Sequence, residues 1–119
     1  MAITSYRVKL FEEIGDSAAV STDDGDRIHD KIASALQKGL VVEIDFQNIN
    51  LITSAFLNAA IGQLYGEFTS DKLKEKMKVL NATQDDLRLV KLVTDRAKEY
   101  FSEKREGLEE SIKKGLEGE

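Results

Sequence analysis

Residues 41–57, VVEIDFQNINLITSAFL, hold a strand, a loop and the start of a helix, and they decide the fold. The apolar residues Val42, Ile44 and Phe46 alternate with two carboxylates, the pattern of a strand with one buried face. A strand that is covered on both faces reads as continuously apolar. We therefore predict that helices pack mainly on one face of the sheet and that the other face is open or only partly covered.

Further strands are predicted on both sides of this stretch. Residues 6–10 alternate apolar and polar side chains, residues 18–21 form a candidate second short strand, and residues 77–81 form a last one. Helices separate these strands, so the predicted order is β(β)αβαβα. Strand-helix alternation implies right-handed crossovers and parallel neighbouring strands. The expected fold class is α/β, at its border with α+β.

Three helices are predicted from apolar residues at helical spacing. The first follows cap residues in 22–26 and ends at Gly39, a C-cap glycine. The second runs through 55–68. The third opens at a capping box made by Thr83 and Asp86 and continues to Phe101.

Composition limits the functional class. The chain has 119 residues, of which 41% are hydrophobic and 33% charged, as in one globular domain. It has no cysteine, which excludes disulfides, thiolate zinc sites and cysteine nucleophiles. A net charge of -5 argues against a nucleic-acid partner. With no secretory signal and no apolar run of about 18 residues, we expect a cytoplasmic protein without membrane insertion.

The stretch 41–57 resembles the centre of STAS domains, the sulphate transporter and anti-sigma factor antagonist family. It is most similar to an uncharacterised bacterial STAS-like branch, which shares a strand ending Asp-Phe, a short loop and an Ile-Thr-Ser-x-Phe turn into a helix. The resemblance implies a small mixed sheet with helices mainly on one face. It also implies a regulatory, non-catalytic role in bacterial signalling through a protein partner such as a histidine-kinase-like ATPase.

The resemblance also suggests the contact residues: Thr53, Ser54, Phe56 and Asn58. In anti-sigma factor antagonists the turn reads Asp-Ser-Ser-Gly, and its second serine is phosphorylated. Ungapped, Thr53 takes the aspartate place, Ser54 the first serine, Ala55 the phosphoacceptor place and Phe56 that of the glycine. The acceptor hydroxyl is therefore absent from its usual place. From the residues themselves, Thr53 or Ser54 is a helix cap, and phosphorylation of Ser54 is an alternative.

Other polar residues offer weaker leads. Glu43 and Asp45 share a strand face. We interpret this face as solvated, and the alternatives are an acid/base pair or part of a metal-binding site. His29 is interpreted as an exposed helix residue. Gly62 and Gly66, four apart, predict close packing of helix on sheet. No catalytic residue, metal ligand or cofactor-binding residue is assigned.

The chain is divided into a STAS-like domain, residues 1–101, and a charged helical extension or tail, residues 102–119. The tail carries Leu108, Ile112 and Leu116 four apart, a thin apolar stripe. Either the tail is a solvated helix end or its stripe binds a partner or a second copy. Two alternative functions stay open: a module that binds a small anion or nucleotide at the helix start, and a structural domain that oligomerises through the open sheet face or the tail.

Overall fold

The computed structural model describes residues 4–117, with side chains described for residues 4–102. Helices and strands alternate as expected, and three short elements that the sequence did not predict lie between them: α1 (Leu10–Ile14), β4 (Leu51–Ile52) and α4 (Ser70–Lys76). The elements are β1 (Ser5–Lys9), α1 (Leu10–Ile14), β2 (Ala18–Ala19), α2 (Thr22–Gln37), β3 (Val41–Asp45), β4 (Leu51–Ile52), α3 (Ser54–Ala60), a 3-10 helix (Gly62–Gly66), α4 (Ser70–Lys76), β5 (Met77–Leu80) and α5 (Gln84–Glu117).

The strands form two small sheets in which every neighbouring pair is parallel. β3 lies between β1 and β5 in the larger sheet, and β2 pairs with β4 in the smaller one. This confirms the mixed α/β architecture and the parallel neighbours. The structure has two sheets where a single mixed sheet was expected. The two-residue strand β4 does not continue β3 and pairs with β2 instead.

The three-stranded sheet has one buried and one open face. Val8, Val42 and Ile44 are buried on the face against which α2 packs. On the opposite face the register places Arg7 beside Glu43, with Lys78 beyond it, and these side chains are exposed or half-buried. The predicted one-sided packing is therefore present in the described part of the chain.

Helix α2 forms where the sequence predicts it. Ser21, one residue before the helix, caps it by accepting a hydrogen bond from the Asp24 N–H at 3.1 Å. Ile28, Ile32 and Leu36 are fully buried. Gly39 follows the helix with a φ of 80°, the left-handed conformation that a C-terminal glycine adopts without strain.

The helix predicted over residues 55–68 is wrong in its length. α3 ends at Ala60, and a 3-10 helix over Gly62–Gly66 replaces its second half. A Cβ on Gly62 would lie 3.7 Å from Val93 and 3.8 Å from Ala97, so α5, not the sheet, packs closely here. Gly62 and Gly66 were predicted to allow close packing of a helix on the sheet. At Gly62 the close contact is with helix α5 instead.

Helix α5 begins at the predicted capping box. The Asp86 N–H donates to Thr83 Oγ1 at 3.1 Å, and the Thr83 N–H donates to Asp86 Oδ2 at 3.4 Å. Its inner face buries Val93 and Ala97, whereas Leu87 is exposed. The helix continues without a break through residue 101 to Glu117, and the side chains of the tail stripe lie outside the described residues.

Candidate functional site

The start of α3 is held by one hydroxyl. Thr53 Oγ1 accepts a hydrogen bond from the Phe56 N–H at 3.2 Å and donates to the Val20 carbonyl at 3.3 Å. The Thr53 N–H donates to the Ala19 carbonyl at 3.1 Å, which extends the pairing of β2 with β4. Thr53 is therefore the helix cap, and it ties α3 to the chain that leads into α2.

The predicted contact residues divide between surface and core. Ser54 and Asn58 are exposed, and their spacing of four places them on one face of α3. Phe56 is 0% exposed and belongs to the hydrophobic core. Its side chain is out of a partner's reach in this structure, so Phe56 is corrected from a contact residue to a packing residue.

Two apolar residues beside the turn were missed by sequence reasoning. Val20 is 41% exposed and Leu51 is 56% exposed, while their neighbours Ala19 and Ile52 point inward. β2 and β4 pair Ala18 with Leu51, so the outward side of this small sheet continues into the turn. We call Val20, Leu51, Thr53, Ser54 and Asn58 together the turn surface. The sequence did not distinguish the exposed Leu51 from Ile52, because the two neighbours are both apolar.

Close packing of α2 fixes where the turn surface lies. A Cβ on Gly25 would sit 2.6 Å from Ala59 Cβ and 2.7 Å from the Phe56 carbonyl oxygen, both on α3. No side chain fits in that space, so Gly25 allows the two helices to touch. The orientation of α3, and hence of Ser54 and Asn58, depends on this contact.

Asp45 is not part of a solvated face, and that interpretation is corrected. Its side chain is 2% exposed, and its Oδ1 accepts hydrogen bonds from Asn81 Nδ2 at 2.8 Å and from the Gln47 N–H at 2.9 Å. Asn81 reaches it from the end of β5 with a φ of 56°. The carboxylate thus joins the ends of two strands, which is a structural role.

The ionisation of Asp45 agrees with that role. Burial by itself would raise the pKa of its carboxyl group, but the hydrogen bonds from Asn81 and Gln47 and the positive charges of Arg7 and Lys9 outweigh burial and lower the pKa. A general acid needs a pKa raised toward neutrality, which is the opposite of the shift at Asp45.

The other carboxylate of this strand face is Glu43, two residues before Asp45. Its side chain is half-buried and pairs with Arg7 at 3.3 Å.

His29 also differs from its interpretation as an exposed residue. Its side chain is 13% exposed, Nε2 is paired with Glu67, and Nδ1 lies 3.1 Å from Asp30 Oδ1. Because Glu67 follows the 3-10 helix, His29 links α2 to that segment. Among the side chains of residues 4–102, no three histidines, aspartates or glutamates are grouped so that they could hold a metal ion.

Residues 24–87 match the model of a family described as a STAS-like domain of unknown function (DUF4325). The chain belongs to this STAS-like family. The match runs from the first turn of α2 to the first turn of α5, so it includes the α3 turn and Asp45. No curated protein and no solved structure match the chain. Of the helices in the described part of this STAS-like protein, none is apolar over a length that would cross a bilayer.

Proposed function

We propose that this STAS-like domain is a non-catalytic regulatory module that binds a protein partner through the turn surface. The observation that carries the proposal is the exposure of Leu51 and Val20 beside an exposed serine at a helix start. Large apolar side chains that border polar groups on a rigid surface are typical of protein contacts. By the STAS resemblance, the partner is a histidine-kinase-like ATPase of bacterial signalling.

The turn surface is fixed before any partner arrives. Thr53 bonds both to α3 and to the chain after β2, and Gly25 lets α2 hold α3 in place. A preformed surface loses little conformational entropy on binding. Leu51 would provide the apolar contact, and Ser54 and Asn58 would provide hydrogen bonds at its edge.

Ser54 is also where such an interaction would be regulated. Its side chain is exposed, whereas the hydroxyl of Thr53 is already occupied by the cap. A phosphate on Ser54 would add about -1.5 to -2 charges beside Leu51. That charge would have to be desolvated on binding, so phosphorylation would release the partner.

The proposal is tested with purified histidine-kinase-like ATPases from the native host, whose binding to the full chain is measured by calorimetry. Leu51→Asp should weaken binding at least about tenfold, because it places an unpaired charge in the contact. Leu92→Asp is the matched control, since Leu92 is a similarly exposed leucine on α5. If Leu51→Asp binds the ATPase as tightly as Leu92→Asp does, the turn surface is not the contact.

Ser54 is tested in the same assay. Ser54→Glu should weaken binding strongly, and Ser54→Ala should weaken it only about two- to threefold, the loss of one hydrogen bond at the edge of the contact. Incubation with the ATPase and ATP, followed by mass spectrometry, shows whether Ser54 accepts phosphate. If Ser54→Glu binds as tightly as the wild type, Ser54 is no switch, even where Leu51 is confirmed as a contact.

A further inference from the structure

A second surface lies along the outer edge of β1, away from the turn surface. β1 pairs with β3 on one side, and no strand pairs with its other side in the described part of the chain. The Thr4 carbonyl accepts a hydrogen bond from the Val41 N–H, so Thr4 points its backbone groups toward β3. Because backbone direction alternates along a strand, Ser5 and Arg7 point theirs outward. Such an edge is a template for another strand.

A groove of about 380 Å³ runs beside this edge, between β1 and α2. Its apolar floor is formed by Tyr6, Ala35 and Leu40. Tyr6 belongs to the sheet face that α2 covers, so the side chains of a strand added to β1 would alternately enter the groove. Backbone pairing and an apolar pocket therefore lie side by side, as β-strand addition requires.

Two lysines of α2, Lys31 and Lys38, line the groove. They are seven residues apart on the helix, which corresponds to about 10 Å, roughly the length of three residues of an extended strand. Lys31 is paired with Glu13 at 3.3 Å, whereas Lys38 has no ion pair among the described residues. The acid in the lining, Asp30, keeps its side chain 82% exposed to solvent at the rim. With Lys31 paired to Glu13 and Asp30 solvated at the rim, Lys38 is the cation in the groove that a partner's carboxylate would meet, in a chain of net charge -5.

We propose that the β1 edge and this groove bind an extended, acidic segment of a partner protein by strand addition. An apolar side chain of the segment lies on Tyr6, Ala35 and Leu40, and a neighbouring carboxylate meets Lys38. A second copy of this chain is the poorer occupant. An antiparallel pair of β1 edges centred on the outward-pointing Arg7 would place the Arg7 side chains of the two copies opposite each other, and like charges across a strand pair are destabilising.

The test uses the full chain, labelled with nitrogen-15, and a designed peptide of alternating valine and threonine with a glutamate at each end. Amide hydrogen exchange at Ser5 and Arg7 should slow when the peptide is added, because their N–H groups become paired. Tyr6 and Val8, which already point toward β3, should change little. Absence of added protection at Ser5 and Arg7 at about 1 mM peptide overturns the proposal.

Variants separate strand addition from non-specific attraction. Ser5→Pro removes an outward N–H without touching the pairing with β3, so it should abolish peptide binding and leave the melting temperature nearly unchanged. Ser5→Ala keeps the N–H and should bind as the wild type does. If Ser5→Pro fails to fold, the exchange pattern of the wild type still decides the question.

Charge is tested separately. Lys38→Glu should weaken binding of the acidic peptide about five- to tenfold. Lys74→Glu, on α4, is the control. The same peptide with a lysine at each end should bind worse than the acidic one, and equal binding by the two peptides overturns the acidic specificity. A wild-type dimer in sedimentation that Ser5→Pro dissolves would assign the edge to a second copy and overturn the proposed partner.

Discussion

The carboxyl ends of β3 and β4 both place polar side chains next to a change in chain direction, yet they do different things. At the end of β3, Asp45 is buried and its hydrogen bonds are supplied by Asn81 and Gln47 of the same chain. At the end of β4, Thr53 is likewise engaged, but Ser54 beside it faces solvent. The difference shows that a polar residue is available to a partner only where the chain's own donors and acceptors leave it free.

The comparison is tested most strongly at Asp45. Asp45→Ala should lower the free energy of unfolding by about 2 kcal/mol or more, because it removes two hydrogen bonds to a charged acceptor and leaves the donors unpaired. Urea unfolding measures the loss. Glu43→Ala, on the same strand face but paired only with Arg7, should cost less than about 1 kcal/mol. Equal losses would show that Asp45 has no special structural role.

Thr53 should show a smaller effect at the other strand end. Thr53→Ala removes the helix cap and should cost about 1 kcal/mol, whereas Thr53→Ser keeps the capping oxygen and should cost less. Thermal and urea unfolding of the two variants give the comparison. A Thr53→Ser variant as unstable as Thr53→Ala would mean that the methyl group, and not the hydroxyl, is what the site needs.

The lowered pKa of Asp45 predicts a smaller, pH-dependent difference. A carboxyl group whose pKa is lower in the folded state stabilises the fold above its unfolded pKa, and this contribution is lost as pH falls through its folded pKa. Below about pH 4 the wild type should therefore lose stability more steeply than Asp45→Asn. Unfolding curves from pH 6 to about pH 2 test this. Parallel curves would contradict the assignment of the ionised form to the folded state.

Ser54 should show the smallest effect on stability. Its exposed hydroxyl is not the cap, so Ser54→Ala should change the free energy of unfolding by less than about 0.5 kcal/mol. Chemical unfolding again provides the measurement. A loss as large as that of Thr53→Ala would mean that Ser54 supports the fold and would weaken its place in the turn surface.

The sequence predicted most of the fold because its signals were local. Alternation in β3, helical spacing in α2 and the capping box at Thr83 each depend on residues a few positions apart. The helix expected over residues 55–68 shows the limit of such signals. Its apolar spacing suits a helix, but α5, distant in sequence, packs against Gly62, and the chain changes to a 3-10 helix there.

The site was predictable in the same uneven way. The turn at Thr53 and Ser54 was identified from its pattern, and the cap was confirmed. The hydrogen bond that Asp45 accepts from Asn81 joins residues 36 positions apart, so the local sequence around Asp45 could not predict it. Phe56 was included among the contact residues because of its place in the STAS-like turn, but it lies on the face of α3 that meets the core.

The turn surface forms during folding only when the smaller sheet, β2 paired with β4, has formed. Thr53 bonds to Val20, 33 positions earlier, and β2 and β4 are parallel strands that cannot pair until α2 has crossed between them. Contacts this distant in sequence form late compared with helices. A peptide cut from residues 51–58 would contain Leu51, Ser54 and Asn58 but would not present them as a surface. A partner that binds here therefore distinguishes the folded chain from the unfolded one.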